Sequence, residues 1–272
     1  MRKLSIAGSA ALLVGSLVYS LPASAQTIVT PSDPNGWTHL VENATGSAAI
    51  TTSEPRNGNG SLELNTTDAA GRTRLGNIGP WDYMAPGVGL GEVTSLSFDW
   101  FRAAISTADA WHAPVFRLNI WDGSQRSDLV WEAVYNGYPT AGPGVPEGEW
   151  RTENLMKSAF YRYESGGAGV TMIGGSQLNQ SIADWASSAL YSSDARITGI
   201  SIGAGSGWQN GAFTGYVDNV VFGANGSETT YNFEVGTAPT VTPEPISMAL
   251  LGTGLAGIGA ARRKRKKNSD PE

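Results

Sequence analysis

An all-β fold, a jelly-roll β-sandwich with one short helix, is what this sequence predicts, and three observations predict it. Short segments of alternating or β-branched character recur through residues 26–240, bounded by Gly, Asn and Pro, as strands with one face in a core do. Long stretches of good helix formers are few. The 272 residues include 35 Gly and 14 Pro for many loops, yet nine Trp, nine Tyr and seven Phe supply far more buriable surface than a disordered chain carries.

Strands are predicted at residues 48–52, 61–66, 95–103, 113–121, 128–135, 148–154, 197–203 and 213–222, and eight strands suit a jelly roll. Leu96, Phe98 and Trp100 define an apolar face with Ser97 and Asp99 opposite; Phe116, Leu118 and Ile120 alternate likewise with Arg117, Asn119 and Trp121. Asn57-Gly58-Asn59-Gly60 and Asp122-Gly123 read as tight turns. The helix is placed within residues 178–190, where Ser181 stands three before Asp184 and Ile182, Trp185, Ala186 and Ala189 fall at helical spacing. Residues 165–175, with five glycines and no dominant period, read as a loop.

The two ends read as addresses, dividing the chain into 1–25, 26–240 and 241–272. Arg2 and Lys3 precede an apolar run over residues 4–21, and Ala23-Ser24-Ala25 supplies the small-x-small pattern that signal peptidase cuts, so a signal peptide ending at Ala25 is expected. At the other end Pro243-Glu244-Pro245 leads into sixteen uncharged residues, 246–261, and then Arg262-Arg263-Lys264-Arg265-Lys266-Lys267. As a helix the uncharged stretch is about 24 Å long, a marginal membrane span, and the cations would hold its end on the cytoplasmic side. Gly252, Gly254 and Gly257 match a dinucleotide fingerprint, but no strand precedes them and they lie inside this segment, so they read as small residues of a membrane helix.

The three-part tail resembles the PEP-CTERM sorting signal, in which Pro-Glu-Pro precedes a short membrane helix and a basic cluster. The matching positions are Pro243, Glu244 and Pro245, with Arg262 to Lys267 as the basic anchor; the polar residues 268–272 depart from the pattern. The resemblance implies recognition by an exosortase, membrane tethering through the C-terminal helix during sorting, and delivery to the cell surface or extracellular matrix.

Composition excludes several function classes. Residues 26–240 hold ten basic against 21 acidic residues, a net charge of −11, which repels a phosphate backbone and argues against nucleic acid as a partner. Cysteine is absent, so there is no disulfide framework, Cys-ligated zinc or thiol nucleophile. His39 and His112 are the only imidazoles and read as packing or surface residues. Glu147, Glu149 and Glu153 cluster near Trp150, but beside a Pro/Gly-rich turn they read as a solvated acidic loop; the Glu-x-Asp-x-x-Glu arrangement of jelly-roll glucanases and a Gly-x-Ser-x-Gly elbow are both absent.

Gly205-Ser206-Gly207-Trp208 with residues 215–220, Gly60-Ser61-Leu62-Glu63-Leu64 and Gly36-Trp37 loosely resemble galactose-binding-like jelly rolls, including carbohydrate-binding modules. That resemblance implies a structural Ca2+ held in part by Asp218, which Asp33 and the carbonyls of the Asn57–Gly60 turn would supplement. The alternative is that Asp218 and Asn219 hydrogen-bond loop amides. Sugar binding asks for aromatic platforms and planar polar groups on rigid strands, and Arg117, Asn119, Trp121, Trp131 and Glu132 supply these types, in preference to Trp111 or Trp208. The competing role for Trp121 and Trp131 is core or edge packing.

The sequence thus predicts an exported, exosortase-sorted, non-catalytic surface or matrix protein with exopolysaccharide as its candidate ligand. The alternatives are a structural or adhesive matrix protein that binds other proteins, and a polysaccharide hydrolase or lyase.

Overall fold

Period-two alternation builds the centre of this protein, whose computed structural model describes residues 25–77, 87–123, 125–164, 169–170, 172–173, 176–177, 179–205 and 207–236. The strands are β1 Ala25–Val29, β2 Trp37–Glu42, β3 Gly46–Thr51, β4 Ser61–Thr66, β5 Arg72–Asn77, β6 Val88–Gly89, β7 Val93–Arg102, β8 Val115–Trp121, β9 Arg126–Trp131, β10 Trp150–Asn154 and β11 Phe160–Glu164. Four two-residue strands follow, β12 Gly169–Val170, β13 Met172–Ile173, β14 Ser176–Gln177 and β15 Asn179–Gln180; then come helix α1 Ile182–Ala186, β16 Arg196–Gly205, β17 Phe213–Ala224 and β18 Ser227–Phe233.

Two sheets make the sandwich. The first has seven strands and is organised by β17, which is long enough to serve several partners. Its first half pairs with β4 and its second half with β18, while β7 runs along its other edge. The register along β7 shifts between Asp218 and Val221, where Asn219 takes a left-handed conformation at φ 47°. β1 closes one edge parallel to β18; β3 and β10 lie outside β4 and β7. The second sheet has nine strands, with β12, β11, β9, β8, β16, β5 and β2 in that order, β15 beside β11 and β6 beside β16.

Apolar faces meet between the sheets. Phe98 and Trp100 of β7 and Leu62 and Leu64 of β4 pack against Phe116, Leu118 and Ile120 of β8 and Leu129 and Trp131 of β9. The Phe98 ring lies 5.6 Å from Phe116 and 5.3 Å from Trp131, the latter edge to face. Burial of aromatic area of this order dominates the stability of a domain without disulfides.

The predicted class is the observed one. The strong alternators, residues 95–103, 113–121, 197–203 and 213–222, fall on β7, β8, β16 and β17. The segment predicted at 128–135 divides: β9 ends at Trp131, and Ala133–Tyr135 form a single 3-10 turn. The helix within 178–190 is real but short. Ser181 accepts from the Asp184 amide, the Asp184 carboxylate accepts in return from the Ser181 amide, and buried Trp185 donates its indole N–H to the Phe160 carbonyl at 2.9 Å. β1, β2, β5, β11 and β18 were not among the predicted strands. The predicted signal peptide, apart from Ala25, and the tail segments lie outside the described residues, as does most of the Gly-rich stretch 165–175. Among the described residues no helix is long and apolar enough to cross a membrane.

One site expectation needs correction at this level. Trp131 pairs in register with Phe116, so it shares the inward face and is completely buried. It offers no ring face to a ligand.

Candidate functional site: the outer face of the nine-stranded sheet

Because side chains alternate, the strand residues that do not enter the core share the opposite face of this sheet. On β8 these are Val115, Arg117, Asn119 and Trp121. Register places Val130 beside Arg117 and Asp128 beside Asn119, with Tyr161 beside Val130 and Tyr163 beside Asp128 on β11. On the other side Ser201 of β16 is level with Arg117, and Arg74 of β5 with Gly203.

These residues form a connected polar network on an apolar footing. Arg74 donates from Nε to the Ser201 hydroxyl at 2.8 Å and from Nη1 to Asp128 at 3.0 Å. Asp128 also accepts from the Asn119 amide, and both are buried. Tyr161 donates its hydroxyl to Glu132 at 2.8 Å. Val115, Val130 and Tyr161 make a small apolar cluster separate from the main core, with Trp208 packed over it. Between them opens a cavity of about 100 Å3 lined in part by Arg72, Arg74, Arg117, Asp128, Tyr161 and Tyr163.

The electrostatics follow from burial. Desolvation, then the neighbouring Arg74, lowers the Arg117 pKa, opposed by Tyr161, Asp128 and Glu132. Desolvation raises Glu132 against the hydrogen bond from Tyr161 and the charge of Arg117, which favours its neutral form. Tyr161 is raised by burial and by Glu132 and stays a hydrogen-bond donor. At one end of the face the His112 imidazole stacks on Trp208 with ring centroids 4.2 Å apart and planes within 12°. Burial lowers its pKa to about 4, against Asp109 and with Arg102, so it stays neutral near pH 7.

Of the residues singled out from sequence, Arg117, Asn119 and Glu132 belong to this neighbourhood. Trp121 lies at the far end of β8, level with Arg126 and Arg196. Trp131 points away, into the core. Trp208, ranked below it from sequence, packs on the face. Sequence reasoning also passed over Arg74, Asp128, Tyr161 and Tyr163. The available signal was the alternation Arg72-Thr73-Arg74 and Tyr161-Arg162-Tyr163, which puts like side chains on one face of a strand. Pro243, Glu244, Pro245 and Arg262 to Lys267 lie outside the described residues.

A second polar cluster sits where β17 passes from β4 to β18. Asp218, completely buried, accepts from the Phe233 amide at 2.9 Å and the Asn57 amide at 3.1 Å. Buried Glu234 accepts from the Asn59 amide at 2.6 Å through one oxygen, while its Oε1 has no hydrogen-bond partner. Gly58, at φ 106°, passes so close that a Cβ there would collide with this carboxylate. Asp33 stands elsewhere, in the exposed turn after β1, where its backbone N–H and carbonyl bond Thr30. The partner that Asp218 meets is Glu234, not Asp33. Among the described residues no group of three or more His, Asp or Glu is arranged to hold a metal ion.

Fold and geometry together define a β-sandwich protein with a connected polar and aromatic cluster on one sheet face. Residues 241–266 match the PEP-CTERM protein-sorting motif, which implies an exported, exosortase-sorted protein. Among solved structures it is similar to carbohydrate-binding modules from the β-sandwich superfamily, at 15% identity and a TM-score of 0.35, with 73% of this chain and 62% of the other covered. The chain thus spans less than two thirds of that neighbour. No curated protein sequence matches it.

Proposed function

We propose that this is a non-catalytic protein of the cell surface or extracellular matrix that binds polysaccharide through the outer face of the nine-stranded sheet. The observation that carries the reading is the combination on one rigid face of exposed tyrosine rings with fixed planar donors and acceptors. Tyr163 is 42% exposed at the cavity, and Tyr135, 40% exposed, lies edge to face with Tyr161. Such rings cover the apolar faces of pyranoses while guanidinium and amide groups satisfy their hydroxyls. His112, neutral and stacked, is poorly suited to general acid–base work near pH 7. Export through a signal peptide cut after Ala25 and tethering through residues 246–261 before processing belong to the same reading.

The test is affinity electrophoresis of the full-length chain against a panel of polysaccharides, including the producing cell's own matrix. Tyr163→Ala and Tyr135→Ala are each expected to weaken binding about three- to tenfold. Unchanged affinity in both would reject this face, and no retardation in any polysaccharide would reject the reading.

A structural calcium ion completes the proposal, at Asp218 and Glu234 rather than Asp218 and Asp33. Burial pushes Asp218 up to about 7 despite its backbone hydrogen bonds, with Glu234 adding to the rise, a cost to ionisation that a bound cation would offset. The unpaired Glu234 Oε1 and the carbonyls of the Asn57–Gly60 turn suit an ion that takes six to eight oxygens. Calcium would lock this turn to β18. Millimolar calcium is expected to raise the melting midpoint by several degrees over chelator, through binding to the folded state alone. An identical midpoint in both would remove calcium from the proposal.

A further inference from the structure

We infer that the polysaccharide is acidic, and that Arg74 and Arg117 grip a uronate carboxylate in the cavity they line; this rests on the reading of that face as a glycan site. Arg74 commits Nε to Ser201 and Nη1 to Asp128, which leaves Nη2, buried and without a hydrogen-bond partner. Arg117 Nη1 is likewise buried and unpartnered. Two guanidinium groups thus keep donors desolvated beside one small cavity. Such donors cost free energy unless an acceptor enters, and the acceptor matching two cationic donors best is an anion.

Shape and charge agree. The cavity, at about 100 Å3, admits a carboxylate with a water or two, at about 30 Å3 of liquid volume per water. The pyranose ring then stays outside, where Tyr163 stands exposed beside the cavity. The lining carries Arg72, Arg74 and Arg117 against Asp128 alone, and Asp128 is already engaged by Arg74 and Asn119. Gly203 lets β16 lie close beneath Arg117: a Cβ there would sit 3.3 Å from Arg117 Nη1 and collide with the Thr73 carbonyl. The domain's net charge of −11 opposes any polyanion at long range, as it does nucleic acid, but charges beyond about 8 Å are largely screened at physiological ionic strength and the three arginines at the cavity dominate at contact.

Isothermal titration of the full-length chain with an oligouronate series (galacturonate, glucuronate, and mannuronate or guluronate), each beside its methyl ester, tests the inference. A sulfated galactan oligomer provides the control for anions in general. At least one free acid is expected to bind about tenfold or more tightly than its ester, and Arg117→Gln and Arg74→Gln are each expected to bring the two within about twofold. The acid–ester comparison on the unsubstituted chain stands even if a variant folds poorly. Equal binding of acids and esters would overturn the acidic preference and leave the glycan site intact. Tighter binding of the sulfated oligomer would overturn the carboxylate assignment, and failure of these oligomers and of every polysaccharide in the panel would overturn both readings.

Discussion

Replacing Arg102 with alanine is expected to destabilise the sandwich by about 3–5 kcal/mol, the range for removing one partner of a buried ionic network. Arg102 ends β7 with 1% of its surface exposed. It donates from Nε to Glu147, from Nη1 to the carbonyls of Asp109 and His112, and from Nη2 to that of Ala108. The alanine would strand those carbonyls, each at a cost of about 1–3 kcal/mol if no water reaches it. Against a total stability of about 5–15 kcal/mol this is a large fraction, visible as a lowered urea midpoint. Glu147→Gln, at the partly exposed end of the same ion pair, is expected to cost less than about 1 kcal/mol. Equal effects of the two variants would refute the view that the carbonyls, not the ion pair, carry the energy. Because the carbonyls belong to the loop that presents His112 to Trp208, Arg102→Ala is also expected to weaken polysaccharide binding from a distance.

Trp131→Ala is expected to cost about 3–5 kcal/mol through the void it leaves against Phe98. Trp131→Phe should cost much less, since it keeps a ring in place and deletes an indole N–H that is buried without a partner. The decisive comparison is with ligand: Trp131→Phe should bind polysaccharide as the unsubstituted chain does. Loss of binding at unchanged stability would return Trp131 to the site and refute its placement in the core.

Trp131 also illustrates how far sequence reasoning reaches. In β8, Phe116, Leu118 and Ile120 alternate with polar residues, so both faces are legible. In β9 the outward set Arg126, Asp128 and Val130 contains an aliphatic residue, which blurs the parity that puts Leu129 and Trp131 inside. Only the pairing of Trp131 with Phe116 decides it, and register between strands is a tertiary fact. The missed strands failed for a related reason. β5 reads Arg72-Thr73-Arg74-Leu75-Gly76-Asn77, where the inward positions are Thr73 and Leu75 and the outward Arg74 is held by acceptors far along the chain. β18 is mostly polar apart from Tyr231 and Phe233. Local patterns were enough for α1, whose cap and buried tryptophan lie within five residues. The cavity between Arg74 and Arg117 joins residues 43 positions apart, and no local pattern contains it.

The close of β18 bears on how this protein is displayed. The Glu234 amide is bonded to the Val29 carbonyl and the Val235 amide to the Asn59 side chain, so the chain is pinned to the sandwich almost to Gly236. Only residues 237–240 separate that point from the sorting motif at 241. Even fully extended, the five steps from 236 to 241 span at most about 18 Å. The sorting motif therefore begins within that reach of the folded body, at the end of the sandwich bearing the Asn57–Gly60 turn.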